Sequence, residues 1–415
     1  MYTIKACLYL TLITSLLVLS VLYRSGKLTA LTIPLVLMAG LSSLVARTQA
    51  KVRVERAVES NEIFAGEEVA VKLKVVNEGR PLLMELKDHV NGEVPVVHGS
   101  NRALLYLTNA EEIEYVIRPP SRGLYVIGPA IIELSDPMGL WKREYVVCGE
   151  ARVAAFPRFS SVSGAPLGAK YTGVWPGEVL SRRSGRGTEF YGVREYVPGD
   201  ELRRVNWKAS ARLRRLMSNE FVEERVTDVL IVVDAGWSGV IEDELAEEVL
   251  EHEVSAAAAL ALALLRAGNR VGLLTRGEGG TWVKPGFGRR QLLRILYRLA
   301  ELRIGEQLPL SYVLRTLAHY LLKPHAQVVL ISPVLDRDIV SAIREISTEY
   351  EVLVISPNPF TNVKGGQLLT AYRLLELERE MLLTALSKTC EVINWDLRAP
   401  LTPLLKRVRV RRWAK

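Results

Sequence analysis

Cysteine is nearly absent from this chain. Cys7, Cys148 and Cys390 are the only three in 415 residues and lie far apart, which excludes a disulfide framework and leaves no thiolate pair at zinc-ligand spacing. Histidine is almost as scarce. Of His89, His98, His252, His319 and His325 only the last two are near each other, and nothing around them resembles a ligand set. No Ser-His-Asp arrangement, paired-carboxylate signature or cofactor fingerprint emerges from the order of residues. These absences point away from an enzyme. Hydrophobic residues at 49% and charged residues at 24% exclude a disordered chain, and the length calls for two or three folded units. The net charge of +8 fits nucleic acid or anionic lipid equally well, so its distribution has to decide.

What the chain does have begins with two long apolar runs. Ala6–Tyr23 is 18 residues without a charge, and after Arg24-Ser25-Gly26-Lys27 comes Leu28–Ala46, 19 residues long. A helix crosses the hydrocarbon core with roughly 17–25 apolar residues. The four-residue connector allows only a tight hairpin, so residues 1–50 are expected to form a transmembrane helical hairpin integral to the cell membrane. A cleaved signal peptide is the rival reading, but no small-x-small site follows and a second span comes at once. Lys5, the amino terminus, Arg47, Lys51, Arg53 and Arg56 outnumber Arg24 and Lys27 on the connector side, which predicts cytoplasmic soluble domains.

From residue 51 to 156 the pattern shortens to alternating runs, such as Val69–Val76, Ile113–Ile117 and Leu124–Ile127, bounded by Asn77-Glu78-Gly79, Pro119-Pro120-Ser121 and Gly128-Pro129. Period-two alternation at this spacing predicts an antiparallel β-sandwich. It carries no catalytic cluster and reads as a spacer.

Residues 157–226 hold the most unusual stretch. Between Arg182 and Arg215 ten Arg or Lys face four Asp or Glu, with Gly185, Gly187, Gly192 and Gly199 breaking the chain and Phe190, Tyr191, Tyr196 and Trp207 threaded between charges. Such a composition is expected to form an ordered loop or docking surface rather than a regular strand or helix. A phosphate-binding loop would need a Gly-Lys-Ser/Thr ending that is missing. Basic and aromatic residues together could hold single-stranded nucleic acid, although Glu189, Glu195, Asp200 and Glu201 would repel phosphates. An internal network of paired and stacked guanidiniums is the third reading, and it is compatible with recognition of a partner.

The order Gly187, Glu189, Phe190, then Arg194 and Tyr196, then Gly199, Asp200 and Arg203, then Asn206, Trp207, Lys208 and Arg212 resembles the signature of the domain of unknown function 58 family. That resemblance implies a two-helix membrane anchor, a β-sandwich and a von Willebrand A-like domain in succession. It also implies a protein partner, a MoxR-type AAA+ ATPase.

Residues 227–415 alternate strand and helix patterns, from Asp228–Val233 and a long helix Asp243–Ala267 to the run Glu391–Trp395, which predicts a doubly wound α/β sheet. Ligands in such sheets sit at the carboxyl ends of the strands. There, von Willebrand A-like domains carry Asp-x-Ser-x-Ser around a Mg²⁺. This sequence keeps Asp234 and Ser238, has Gly236 where the first serine belongs, shows no evident threonine in Arg303–Pro309, and offers Asp336 as a remaining acid. A carboxylate that only caps its own loop is the competing reading of Asp234. The acids Glu242, Asp243, Glu244, Glu247, Glu248, Glu251 and Glu253 are expected to form a solvated helix face, and the end of the chain is basic from Lys406 to Lys415.

The sequence thus describes a membrane-anchored binding and assembly protein. A metal-dependent membrane-tethered hydrolase and a nucleic-acid binder remain as rivals. Membrane fractionation tests the anchor: the full-length chain is expected to stay in an alkali-washed membrane pellet and to need detergent, whereas release into the aqueous phase would remove it.

Overall fold

The computed structural model describes residues 3–45, 51–79, 82–91, 94–136, 139–159, 180–224, 228–237, 239, 241–305, 309–322, 326–362 and 369–407. The chain divides into two compact units, Met1–Phe156 and Pro157–Lys415.

The first unit opens with helices α1, Ile4–Leu22, and α2, Gly26–Val45. Thr3 caps α1, its hydroxyl accepting from the Ala6 amide at 3.3 Å and donating to the Gly139 carbonyl at 2.7 Å. Arg24 turns the chain between the helices in the left-handed region, at φ 46°. Leu8, Leu10, Val18, Leu31, Ile33 and Leu37 are largely exposed, as in lipid-facing helices. α1 is long and apolar enough to cross a membrane, while the apolar stretch Gly26–Ser42 of α2 is shorter. One or two N-terminal helices therefore have the make-up of membrane spans.

Ten strands follow: β1 Val52–Val58, β2 Glu62–Phe64, β3 Val69–Asn77, β4 Leu82–Val90, β5 Val96–Gly99, β6 Arg102–Leu107, β7 Ala110–Ile117, β8 Gly123–Ser135, β9 Lys142–Cys148 and β10 Ala151–Phe156. They form one sheet in the order β1-β3-β7-β5 and another in the order β2-β10-β8-β4-β6, with β9 beside β8. Along β3, Val69, Val71, Leu73 and Val75 are buried and alternate with Lys72 and Lys74. They share one core with Met84, Leu86, Leu107, Ile127 and Ile132 of the other sheet. Each such side chain contributes about 1.5–3 kcal/mol on burial, so the alternation fixes which face of each strand turns inward.

One polar cluster lies inside this core. Arg56 Nε donates to Asp88 Oδ2 at 3.1 Å, the Tyr115 hydroxyl donates to the same oxygen at 2.7 Å, and Arg56 Nη1 reaches the Ile127 carbonyl at 3.1 Å. This corrects one use of Arg56. Its charge is taken up by Asp88 in the sandwich and does not belong to the membrane-flanking cations.

In the second unit β11, Leu180–Glu195, pairs antiparallel with β12, Met217–Glu224, around a short 3-10 turn Leu202–Arg204 and helix α3, Trp207–Leu213. The glycine-rich stretch is therefore a strand for much of its length, contrary to the expectation of a loop. Register shifts between Ser181 and Ser184, Gly185 and Phe190, and Phe190 and Gly192 absorb the breaks as bulges.

The remaining elements are β13 Asp228–Asp234, α4 Asp243–Arg266, β14 Arg270–Arg276, β15 Trp282–Gly286, α5 Gly288–Glu301, α6 Leu310–Leu321, β16 Gln327–Ile331, α7 Asp338–Ile346, β17 Glu351–Pro357, α8 Leu369–Ser387, β18 Glu391–Trp395 and α9 Leu401–Arg407. The sheet runs β15-β14-β13-β16-β17-β18. Every pair in it is parallel except β14 with β15. Leu230 and Val232 of β13 pack with Leu310, Leu314, Ile339 and Leu383 from α6, α7 and α8. The intervening Val229, Ile231 and Val233 face the other side, where α4 lies across the sheet and its buried alanines 256–259 and 261 allow close approach. Successive strands add on opposite sides of β13, which places a topological switch at its carboxyl end.

Asp88→Ala is expected to destabilise the first unit by about 3–5 kcal/mol, since Arg56 would be left buried without its carboxylate. Thermal unfolding of the detergent-solubilised chain measures it, and an unchanged midpoint would contradict the role given to this pair.

Candidate functional site

The carboxyl end of β13 is built by register. Asp234 closes β13 and Arg276 closes β14, and the two stand opposite each other in the parallel ladder. Neighbouring residues at one register share a face of the sheet, so their side chains meet: Arg276 Nη1 donates to Asp234 Oδ1 at 2.8 Å. Ser332, just past β16, donates its hydroxyl to Asp234 Oδ2 at 3.0 Å, and the Gly236 amide reaches Oδ1 at 3.2 Å. Trp237 folds back so that its indole Nε1 donates to the Asp234 carbonyl. Asp234 is 1% exposed and Arg276 6%, so the pair is shielded from solvent.

Beneath it lies Glu253 on α4, 0% exposed. Neither of its carboxyl oxygens has a hydrogen-bond partner among the described residues. Burial first, and the Asp234 charge second, push its pKa well above the ordinary carboxylate value. Glu253 thus does not belong to the solvated face on which the sequence places it. It sits on the sheet side of α4, where the helical period points positions 246, 249, 250, 253 and 254 inward.

Of the expected Mg²⁺ ligands, the two acids each already have a protein partner. Asp234 is held by a guanidinium. Asp336 is exposed, and its Oδ1 accepts from the Asp338 amide at 3.0 Å, capping the start of α7. Ser238 lies outside the described residues. Among the described residues no three His, Cys, Asp or Glu come together as a group that could hold a metal ion. A cation is already in place where the ion would go, so the residues present do not fit Mg²⁺.

Sequence reasoning missed a second buried cation. Arg379 of α8 is 1% exposed. Its Nε donates to the Pro333 carbonyl at 2.9 Å, and its Nη2 donates to Ser356 Oγ and Asn394 Oδ1, each at 2.9 Å. Desolvation lowers its pKa to about 10. It ties the carboxyl ends of β16, β17 and β18 together with carbonyl dipoles in place of a carboxylate. Nothing in the local sequence of α8 marks it except an arginine in the register of buried leucines.

The signature residues separate into an inner and an outer set. Gly187, Glu189 and Phe190 lie along β11, and their side chains are outside the described ones. Arg194 forks onto Asp200 with contacts of 2.8 and 2.6 Å, and Asp200 Oδ2 also accepts from the Val197 amide at 3.0 Å. The Arg194 hydrogen bonds first, then that amide, lower the Asp200 pKa. Pro198 and Gly199 form the corner of this turn, Gly199 at φ +111°, where a side chain would strain the backbone. Tyr196 joins the end of β11 to residue 216 through its backbone amide. Asn206 caps α3, accepting from the Ala209 amide at 2.9 Å and donating to Asn219 at 2.8 Å. Trp207, Lys208 and Arg212 stand outside on α3, Trp207 66% exposed, together with Arg203 and the apolar Leu202, Leu213 and Leu216. The inner set therefore fixes a small platform and the outer set decorates it.

Glu253 gives this unit a pH signature. A carboxyl whose folded pKa is raised contributes its full stability below the unfolded value, 4.5, and loses it as pH rises toward the folded pKa. Glu253→Gln is expected to remove that loss, so the variant gains on the wild type between about pH 5 and about pH 8. Denaturant unfolding at both pH values measures it, and parallel pH profiles would contradict the assignment.

Residues 192–359 match the family model described as "Protein of unknown function DUF58". Uncharacterized protein Rv1480 of Mycobacterium tuberculosis is 30% identical over 136 residues, 32% of this chain and 42% of that protein. Uncharacterized protein YeaD of Bacillus subtilis is 30% identical over 86 residues, 21% of this chain and 19% of its own length. The chain thus spans about two fifths of the length of the mycobacterial relative it matches. A FixG-related protein from Vibrio parahaemolyticus superposes at a TM-score of 0.19 and 14% identity, covering 25% of this chain and 95% of that one. The matched stretch runs from the Arg194 turn through α3 to the buried Asp234–Arg276 pair and beyond, and over that stretch this chain is similar to the DUF58 family.

Proposed function

We propose that this chain is a membrane-anchored, non-enzymatic binding and assembly protein, whose second unit is von Willebrand A-like and meets a protein partner on the cytoplasmic side. The partner is a MoxR-type AAA+ ATPase together with the client such a motor remodels. The observation that carries the reading is Trp207. A tryptophan 66% exposed to solvent is costly to leave bare on a helix whose cap and flanking turn are already hydrogen-bonded. Trp and Arg are among the residue types that dominate binding energy at protein interfaces. A platform fixed in advance loses little entropy on docking.

The charges around it favour protein over nucleic acid. Arg194 pairs with Asp200, Arg203 and Arg204 with Glu201, and Arg215 with Glu195. Those guanidiniums are committed to carboxylates that would repel a phosphate backbone. The membrane reading is supported by the apolar α1, and the orientation by Lys5, Arg47, Lys51 and Arg53 against Arg24 and Lys27.

A photo-crosslinking residue placed at Trp207 in native membranes tests the proposal. An AAA+ ATPase subunit is expected in the crosslinked product, and Trp207→Ala is expected to weaken that association by roughly 30-fold, the loss of a 2 kcal/mol anchor. Crosslinks to lipid or RNA alone would overturn it.

A further inference from the structure

We infer that Arg276 is a built-in cation that closes the carboxylate site at the end of β13 to divalent metal ions, and that Gly236 is what makes room for it. The inference concerns the ion and stands apart from whether this face binds a protein.

The geometry at Gly236 carries it. A Cβ added there would lie 2.5 Å from Arg276 Cζ, 2.6 Å from Nε and 2.8 Å from Nη1. Those separations are far inside van der Waals contact, so the guanidinium would have to leave its present position for any side chain at 236. Gly236 is not in the left-handed region, and the three atoms nearest an added Cβ all belong to Arg276. The missing serine oxygen and the arriving guanidinium are therefore one change seen from two strands.

The electrostatics agree. One carboxylate, Asp234, faces one guanidinium at 2.8 Å in a site cut off from water. Its other oxygen is taken by the Ser332 hydroxyl at 3.0 Å. A hard divalent ion needs several oxygen ligands with net negative charge. Here it would meet a resident positive charge and a single carboxylate already paired. With the arginine gone and a serine at 236, the hydroxyls of residues 236 and 332 and the Asp234 carboxylate would be free to serve as hard-oxygen ligands.

Mn²⁺, followed by electron paramagnetic resonance and by thermal unfolding of the detergent-solubilised full chain, tests this. The wild type is expected to bind no Mn²⁺ that Asp234→Asn removes, and to melt at one temperature with Mn²⁺ or chelator. The double variant Gly236→Ser with Arg276→Met is expected to bind one Mn²⁺ per chain. Its midpoint should rise by roughly 5 °C at an ion concentration about 100-fold above Kd, and Asp234→Asn added to it should abolish both effects. Mn²⁺ bound by the wild type through Asp234, or a folded double variant indifferent to Mn²⁺, would overturn the inference. Should the double variant not fold, Gly236→Ser alone decides: displacing the guanidinium is expected to lower its midpoint, and a midpoint equal to the wild type's would overturn it.

Discussion

The ion pair between Asp234 and Arg276 is the contact on which the second unit depends. It links the ends of β13 and β14 directly, and through Ser332 it reaches the end of β16. The loop after β13 is pinned as well, by the Gly236 amide and the Trp237 indole. Two charges taken out of water cost several kcal/mol each, and only close pairing with further hydrogen bonds offsets that. The pair meets the condition. Its consequence is that at the carboxyl end of β13, where parallel sheets usually take ligands, the Asp234 carboxylate is already answered by the protein itself.

The same device recurs through the chain. Arg56 is buried against Asp88 and Tyr115 in the sandwich, Arg379 against carbonyls and Asn394 at the far strand ends, and Arg194 forks onto Asp200 at the turn before α3. A planar guanidinium is less strongly hydrated than an ammonium and satisfies several acceptors at fixed angles, which is why arginine serves here and lysine does not. An arginine paired with an aspartate removes one charge of each sign, so of these only Arg379, answered by carbonyls, Ser356 and Asn394, carries a net positive charge into the interior.

Much of the architecture was legible because it follows from periodicity. The apolar runs before residue 46 became α1 and α2, the alternation of Val69 to Val76 became β3, and the Asp338, Glu351 and Glu391 starts of α7, β17 and β18 fell where the patterns change. What failed was non-local. Arg276 lies 42 residues from Asp234 and becomes its partner only through strand register, which no local pattern reveals. Glu253 belongs by composition to an acidic helix face and by helical angle to the buried one, and the angle wins because α4 is covered by the sheet. The stretch from Ser184 to Tyr191 has the glycines of a loop, yet bulges let it pair with β12. Asp234 stands at the strand end that its place in the pattern marks, and there its carboxylate accepts from the Gly236 amide of its own loop, as a loop-capping acid would, and from Arg276.

The central claim is that this sheet end is held by an internal cation, and a double-mutant cycle on Asp234 and Arg276 tests it most directly. Each single alanine variant is expected to lose about 3–5 kcal/mol, and the double variant to lose at least about 2 kcal/mol less than their sum, because the second truncation removes a charge the first had already orphaned. Losses that simply add would mean that the two residues act separately, and would contradict the account.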